Sequence, residues 1–141
     1  NDLKYSVLRE SVEGKRVIVV DDSIVRGNSN KRLLRKFKQE GAKEIHFRST
    51  FPPVVKPCHL GIDMHTQEEL IATRYQTQEE LEKALAEFWG IDSVGYNSEE
   101  DLIQAIGLPN DILCLGCVGG RYAYPLDADF RKDQFELVTA R

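Results

Sequence analysis

The sequence predicts an α/β fold, a Rossmann-like parallel sheet with flanking helices, followed by a helical C-terminal segment. Three observations predict it. Arg16 leads into Val17-Ile18-Val19-Val20, an uninterrupted aliphatic run of the kind that buried strands of a parallel sheet carry. A loop with one glycine, Gly27, then feeds a stretch in which Leu33, Leu34 and Phe37 recur at helical spacing. Ala42 to Thr50 next alternates, with Ile45 and Phe47 on one face and His46 and Arg48 on the other. Strand, helix and strand make one βαβ unit, whose crossover is expected to be right-handed.

Taken in order, residues 1–14 are mixed and polar, and Val7, Leu8 and Val12 support a short strand or turn. Asn28, Ser29 and Asn30 are candidate N-caps for the first long helix, which runs from Lys31 to a C′ glycine at Gly41. His46 reads as a surface residue of the second strand, which Pro52-Pro53 stops. A loop over 54–65 carries Cys58, His59 and His65. Thr66-x-x-Glu69 is a capping box that should open a helix through Leu70 and Ile71; Thr77-x-x-Glu80 is another. After the second box, Leu81, Ala84, Leu85 and Phe88 form an apolar stripe ending at Gly90. Ser98 starts a further helix with Leu102, Ile103 and Ile106, stopped by Gly107 and Pro109. These helices read as core-facing scaffold without chemistry. Ile112 and Leu113 lead into Cys114-Leu115-Gly116-Cys117, and Gly119, Gly120 and Pro125 keep the next segment irregular. The expected organisation is a sheet-bearing part over 1–56, a helical part with the cysteines over 57–126 and a charged tail over 127–141.

Composition narrows the function classes. The chain has 141 residues, 41% hydrophobic and 30% charged, which suits one globular domain or part of one. A net charge of -4 gives no reason to expect nucleic acid or an anionic membrane as partner. No apolar run approaches the roughly 20 residues that span a bilayer, and no signal peptide is visible, so a cytoplasmic location is expected. The chain does not begin with Met, which leads us to expect a processed, cleaved or truncated piece. Three cysteines, two of them in Cys-x-x-Cys, argue for metal or redox chemistry in a reducing compartment over a disulfide framework.

The residues that most resemble a site are Asp21 and Asp22 and the loop after them, Ser23, Ile24, Val25, Arg26, Gly27, Asn28 and Ser29. The two carboxylates stand at the C-terminal end of a strand, the edge at which open α/β sheets bind ligands. The loop runs into a helix N-terminus, whose free N–H groups and dipole favour an anion. Carboxylates would repel a bare phosphate. They make sense if they hold sugar hydroxyls or Mg²⁺ while the loop holds a phosphate further along the same ligand. A sugar phosphate fits both halves.

Val19-Val20-Asp21-Asp22-Ser23-Ile24-Val25-Arg26-Gly27 resembles the phosphoribosyl pyrophosphate (PRPP) motif of type I phosphoribosyltransferases, in the form seen in the glutamine PRPP amidotransferase family. Lys4 to Lys15, Ser49 to Pro53, Pro57-Cys58, Gly61 to Met64, Glu69 to Ala72, Asp92 to Tyr96 and Cys114 to Cys117 resemble that family in the same order. The resemblance implies a partial phosphoribosyltransferase fold, the C-terminal part of an enzyme that makes 5-phosphoribosylamine in the first committed step of purine synthesis. It implies that Asp21 and Asp22 contact the ribose hydroxyls directly or through Mg²⁺, and that Ser23 to Ser29 wrap the 5′-phosphate. It also implies that Lys4, on a loop closing over the pyrophosphate, is catalytic with the two aspartates. Asn28-Ser29-Asn30 stands where the family has Thr-Thr-Ser, and Ser6-Val7 where it has Asn-Pro. One branch of the family holds a four-iron, four-sulfur cluster on a Pro-Cys, a Cys-x-x-Cys and a further upstream cysteine. That implies Cys58, Cys114 and Cys117 as three ligands, with the fourth outside this chain. The resemblance further implies missing glutaminase and transferase segments, a homo-oligomer when complete, and an inactive piece when alone.

Two other readings stay open. The acidic pair and loop would look the same in a non-catalytic PRPP-binding regulatory module. Cys58, Cys114, Cys117 and either His59 or His65 could instead supply a zinc-binding structural domain.

Overall fold

The computed structural model describes residues 6–64, 66–122 and 125. Three strands, β1 (Arg16–Asp21), β2 (Glu44–Ser49) and β3 (Ser93–Tyr96), form one parallel sheet in the order β1-β2-β3. Among the described residues five α-helices accompany them: α1 (Arg9–Val12), α2 (Asn28–Gln39), α3 (Gln78–Trp89), α4 (Glu99–Ile106) and α5 (Gly116–Gly119). The α/β class and the parallel βαβ unit read from the sequence are therefore present.

The register explains the core. Val19 pairs with Phe47 and Phe47 with Val94, so one apolar row crosses the sheet. That row faces α2 and α3, where Leu34, Leu81, Leu85 and Trp89 are buried. Phe47 meets Trp89 edge-on, with ring centroids 5.0 Å apart, a favoured aromatic geometry. A second cluster, Val54, Met64 and Leu70, sits apart from the first and takes in Cys58 and Cys117.

Several local expectations are corrected. β1 is not buried on both faces: Ile18 is 67% and Val20 62% exposed, on the side turned away from the helices. That side instead carries a polar set, in which His46 Nδ1 bonds Ser93 Oγ at 2.8 Å and Arg16 bonds Glu44 at 2.7 Å. A hydrogen bond from His46 and the charge of Arg16 hold the Glu44 carboxyl below the usual carboxylate range. α2 begins at Asn28, three residues early, and its N-cap is Gly27 at φ 74° with no side-chain cap. Residues 9–12 are a helical turn where a strand or turn was expected. Thr66 caps nothing: Leu70 is extended (φ -82°, ψ 112°), which cuts the expected helix into two 3₁₀ turns, Gln67–Glu69 and Ile71–Arg74. Thr77 and Ser98 do cap, accepting from the Glu80 and Asp101 N–H groups. On α3 the core residue is Trp89, whereas Phe88 is 45% exposed beneath the Lys31 ammonium. α4 has no buried residue, so it lies on the surface. β3 had no counterpart in the sequence reading.

Candidate phosphate-loop site

All three strands end at one edge, and Asp21 is the last residue of β1. The chain beyond each strand is tied across that edge. Thr50 N–H donates to the Asp21 carbonyl at 3.0 Å, and Asn97 N–H to the Ser49 carbonyl at 3.1 Å. The two carboxylates are set by the turn itself. Asp22 N–H donates to Asp21 Oδ1 at 3.0 Å, and Ser23 N–H to Asp22 Oδ1 at 2.7 Å. Each carboxylate keeps a second oxygen, and oxygen donors at one strand end suit a hard cation or sugar hydroxyls.

The loop closes a cavity of about 230 Å³ lined by Asp21, Asp22, Ser23, Arg26, Gly27 and Ser29 among others. Four successive loop residues are fastened on its far side. Ile24 is 2% exposed and belongs to the main core. The Val25 carbonyl accepts from Ile71 N–H at 2.9 Å. Arg26 pairs with Glu69 at 2.6 Å, and the Gly27 carbonyl accepts from the buried indole N–H of Trp89 at 2.7 Å. A Cβ on Gly27 would lie 3.3 Å from Leu85 Cδ2, and its positive φ disfavours a side chain as well. Arg26 also lines another cavity, of about 310 Å³, together with Asn28, Glu69, Arg74, Tyr75 and Phe88.

Sequence reasoning missed Glu69, Ile71 and Trp89 as the residues that hold the loop. Trp89 left a signal, being the sole tryptophan and four residues on from Leu85, and Glu69 and Ile71 lie in a segment that carries the resemblance. Tyr96, at the end of β3, has a buried hydroxyl without a hydrogen-bond partner among the described residues; burial, then Glu82, pushes its phenol well up. Lys4, which sequence reasoning made catalytic, and His65 lie outside the described residues.

The cysteines converge from two segments. Val55 and Lys56 N–H both donate to the Cys117 carbonyl, at 2.9 and 3.0 Å, and Tyr122 Oη donates to the Pro57 carbonyl at 2.7 Å. Cys58 and Cys117 are half-buried and Cys114 is exposed; none is in a disulfide. Burial, and then the neighbouring Cys58 and Cys114, push the Cys117 thiol up. Thiol donors suit iron–sulfur clusters or zinc. Among the described residues, however, no three His, Cys, Asp or Glu side chains are disposed to hold an ion.

No family model matches the chain. A strand-ended acidic pair, a fastened loop and a parallel sheet together define a phosphoribosyltransferase-type fold, and solved structures agree. The glutamine PRPP amidotransferase of B. subtilis, complexed with ADP and GMP, superposes with a TM-score of 0.74 at 38% identity over 88% of this chain and 27% of that one. Amidophosphoribosyltransferases of Methanocaldococcus jannaschii and Mycobacterium leprae are 47% and 42% identical over 130 and 140 residues, or 92% and 98% of this chain. Over most of its own length the chain is thus similar to amidophosphoribosyltransferases. The chain spans about a quarter of the length of the curated relatives it matches. Among the described residues no helix is long and apolar enough to cross a membrane.

Proposed function

We propose that this chain is the C-terminal part of an amidophosphoribosyltransferase, which joins ammonia derived from glutamine to PRPP and releases pyrophosphate. The observation that carries the reading is the contiguity of Asp21-Asp22 with a cavity whose far wall is the start of α2. One side can hold a ribose by its hydroxyls and the other a phosphate by backbone N–H groups.

In this reading the ammonia nitrogen bonds to C1 of the ribose while the C1–pyrophosphate bond breaks and the pyrophosphate leaves with the electron pair. A proton is then lost from the new amine, giving 5-phosphoribosylamine. The protein orients and shields more than it bonds. Asp21 and Asp22 hold the 2′- and 3′-hydroxyls and so fix the sugar relative to the incoming nitrogen. Ser23 to Ser29 hold the 5′-phosphate at the start of α2. Lys4 meets the leaving pyrophosphate. Asp21 and Asp22 are also the residues that would hold Mg²⁺, which when bound offsets the pyrophosphate charge. Cys58, Cys114 and Cys117 would supply three thiolates to a four-iron, four-sulfur cluster, the fourth ligand lying outside this chain; its role would be to tie the segment over 57–126 to the sheet-bearing part over 1–56. Thiol convergence and the bonds from Val55 and Lys56 to Cys117 support that role. A cytoplasmic homo-oligomer with no nucleic acid or membrane partner completes the proposal.

The test uses the full-length protein, PRPP, Mg²⁺ and ammonia, with pyrophosphate release followed by ³¹P NMR. Stoichiometric pyrophosphate and phosphoribosylamine are expected. PRPP binding without turnover would point to the regulatory module instead. Metal analysis of anaerobically prepared protein tests the cysteines: iron and sulfide in equal amounts are expected, and zinc alone would favour the structural alternative.

A further inference from the structure

The loop over residues 23–27 is held from outside by two carbonyls two residues apart. The Val25 carbonyl takes the Ile71 N–H at 2.9 Å, and the Gly27 carbonyl takes the Trp89 indole N–H at 2.7 Å. No peptide bond among the described residues is cis. In a trans peptide the N–H points opposite to the C=O. Turning these carbonyls toward Ile71 and Trp89 therefore turns the N–H groups of Arg26 and Asn28 the other way. The Gly27 carbonyl also belongs to the N-cap of α2, so the Asn28 N–H is the first of the free donors at that helix end.

Trp89 is well suited to this task. It is 5% exposed, its ring is braced edge-on against Phe47, and its N–H donor lies in the main core. Gly27, at positive φ, has no Cβ and so could adopt several backbone orientations at little cost. A buried, rigid donor at a glycine carbonyl selects one of them before any ligand arrives. Such preorganisation lowers the ordering cost of binding.

We infer that Trp89 is a positioning residue for the phosphate loop: its indole N–H, through the Gly27 carbonyl, presets the Asn28 N–H toward a phosphate. This rests on the reading of the loop as a PRPP phosphate site. Trp89 touches no substrate. Its loss acts on binding of the phosphate group and not on bond making at C1.

The experiment is steady-state kinetics on the full-length enzyme with PRPP, Mg²⁺ and ammonia, comparing wild type, Trp89→Phe and, as a packing control, Leu81→Val. Trp89→Phe is expected to raise KM for PRPP by about tenfold, the size of one buried hydrogen bond, with kcat changed less than about threefold. Ribose 5-phosphate, used as a competitive inhibitor, should weaken by the same factor. Leu81→Val should lower the thermal midpoint and leave KM where it was. Replacing Trp89 with 3-benzothienylalanine, which keeps the bicyclic ring and puts sulfur in place of the N–H donor, should reproduce the KM effect, and it decides the question where Trp89→Phe does not fold. An unchanged KM in the folded analogue enzyme overturns the inference. Failure of the underlying reading looks different: wild type itself would show no inhibition by ribose 5-phosphate, and Asp22→Asn would leave PRPP kinetics alone.

Discussion

The loop over residues 23–27 and the cysteine segment are held in contrasting ways. The loop's residues are consecutive, and the main core supports them through Ile24 and Gly27, while Val25 packs on the smaller cluster and its carbonyl takes the Ile71 N–H. The cysteines come from positions 58, 114 and 117; Cys58 and Cys117 rest on a small cluster of Val54, Met64 and Leu70 with two bonds to one carbonyl, and Cys114 is exposed. A site built on a large core is shaped before its ligand binds. A site on three residues of core is shaped in good part by what it binds. The difference predicts opposite sensitivities: the loop to core substitutions, the cysteine segment to metal.

The largest effect that sharpens this comparison is Ile24→Ala. Truncating this 2% exposed side chain should cost about 2–5 kcal/mol in denaturant unfolding of the full-length protein, and PRPP use should fall with it. Cys114→Ser, at an exposed position, should leave the chelator-treated protein within about 0.5 kcal/mol of its parent. Equal costs for the two would erase the contrast.

Next in size are the carboxylates. Asp21→Asn or Asp22→Asn should each lower kcat/KM for PRPP by about 1.5–3 kcal/mol, since a charge-assisted contact is lost. Unfolding midpoints should barely move, because among the described residues each side chain bonds only the next N–H of its own turn. Near-normal kinetics at limiting PRPP in both variants would reduce the pair to an acidic turn. Gly27→Ala should follow at about 1–2 kcal/mol of stability, from the left-handed backbone and the approach of Leu85; an unchanged midpoint would mean that the loop relaxes freely.

The smallest effect is one of pH. Burial raises the folded-state pKa of Cys117 above its unfolded value of 9.0. Whatever stability this thiol contributes is complete below pH 9 and is lost as pH rises through the folded value. In chelator-treated protein at pH 9, iodoacetamide should label exposed Cys114 faster than Cys117, read by peptide mass spectrometry. Equal labelling rates would show that the segment opens once metal is gone, and would sharpen the contrast with the loop.

What the sequence made legible follows the same division. The run from Arg16 to Ser29 could be read because strand, carboxylates and helix start are adjacent. The turn glycines at 41, 90 and 107 could be read because each sits at positive φ after a periodic stretch. β3 was hidden: in four residues only Val94 is buried, and its strand state comes from pairing with β2. Phe88 and Trp89 fit the stripe from Leu81 equally well. The choice between them is tertiary, made by Phe47 on one side and Lys31 on the other. Thr66 looked as good a cap as Thr77, but the extended Leu70 ends the helix after one turn, which no cap can prevent. Only resemblance grouped Cys58 with Cys114 and Cys117, since nothing local joins residue 58 to residue 114.

One consequence of β1 remains for anyone handling this segment by itself. Its outer edge is unpaired in the described sheet, and Ile18 and Val20 stand exposed on the face beside that edge. A strand with a free ladder and aliphatic side chains is a template for another strand, whichever chain supplies it. Expressed alone, the segment would recruit its own copies or a chaperone to that edge, and lysine at position 18 or 20 is the simplest remedy for a soluble preparation.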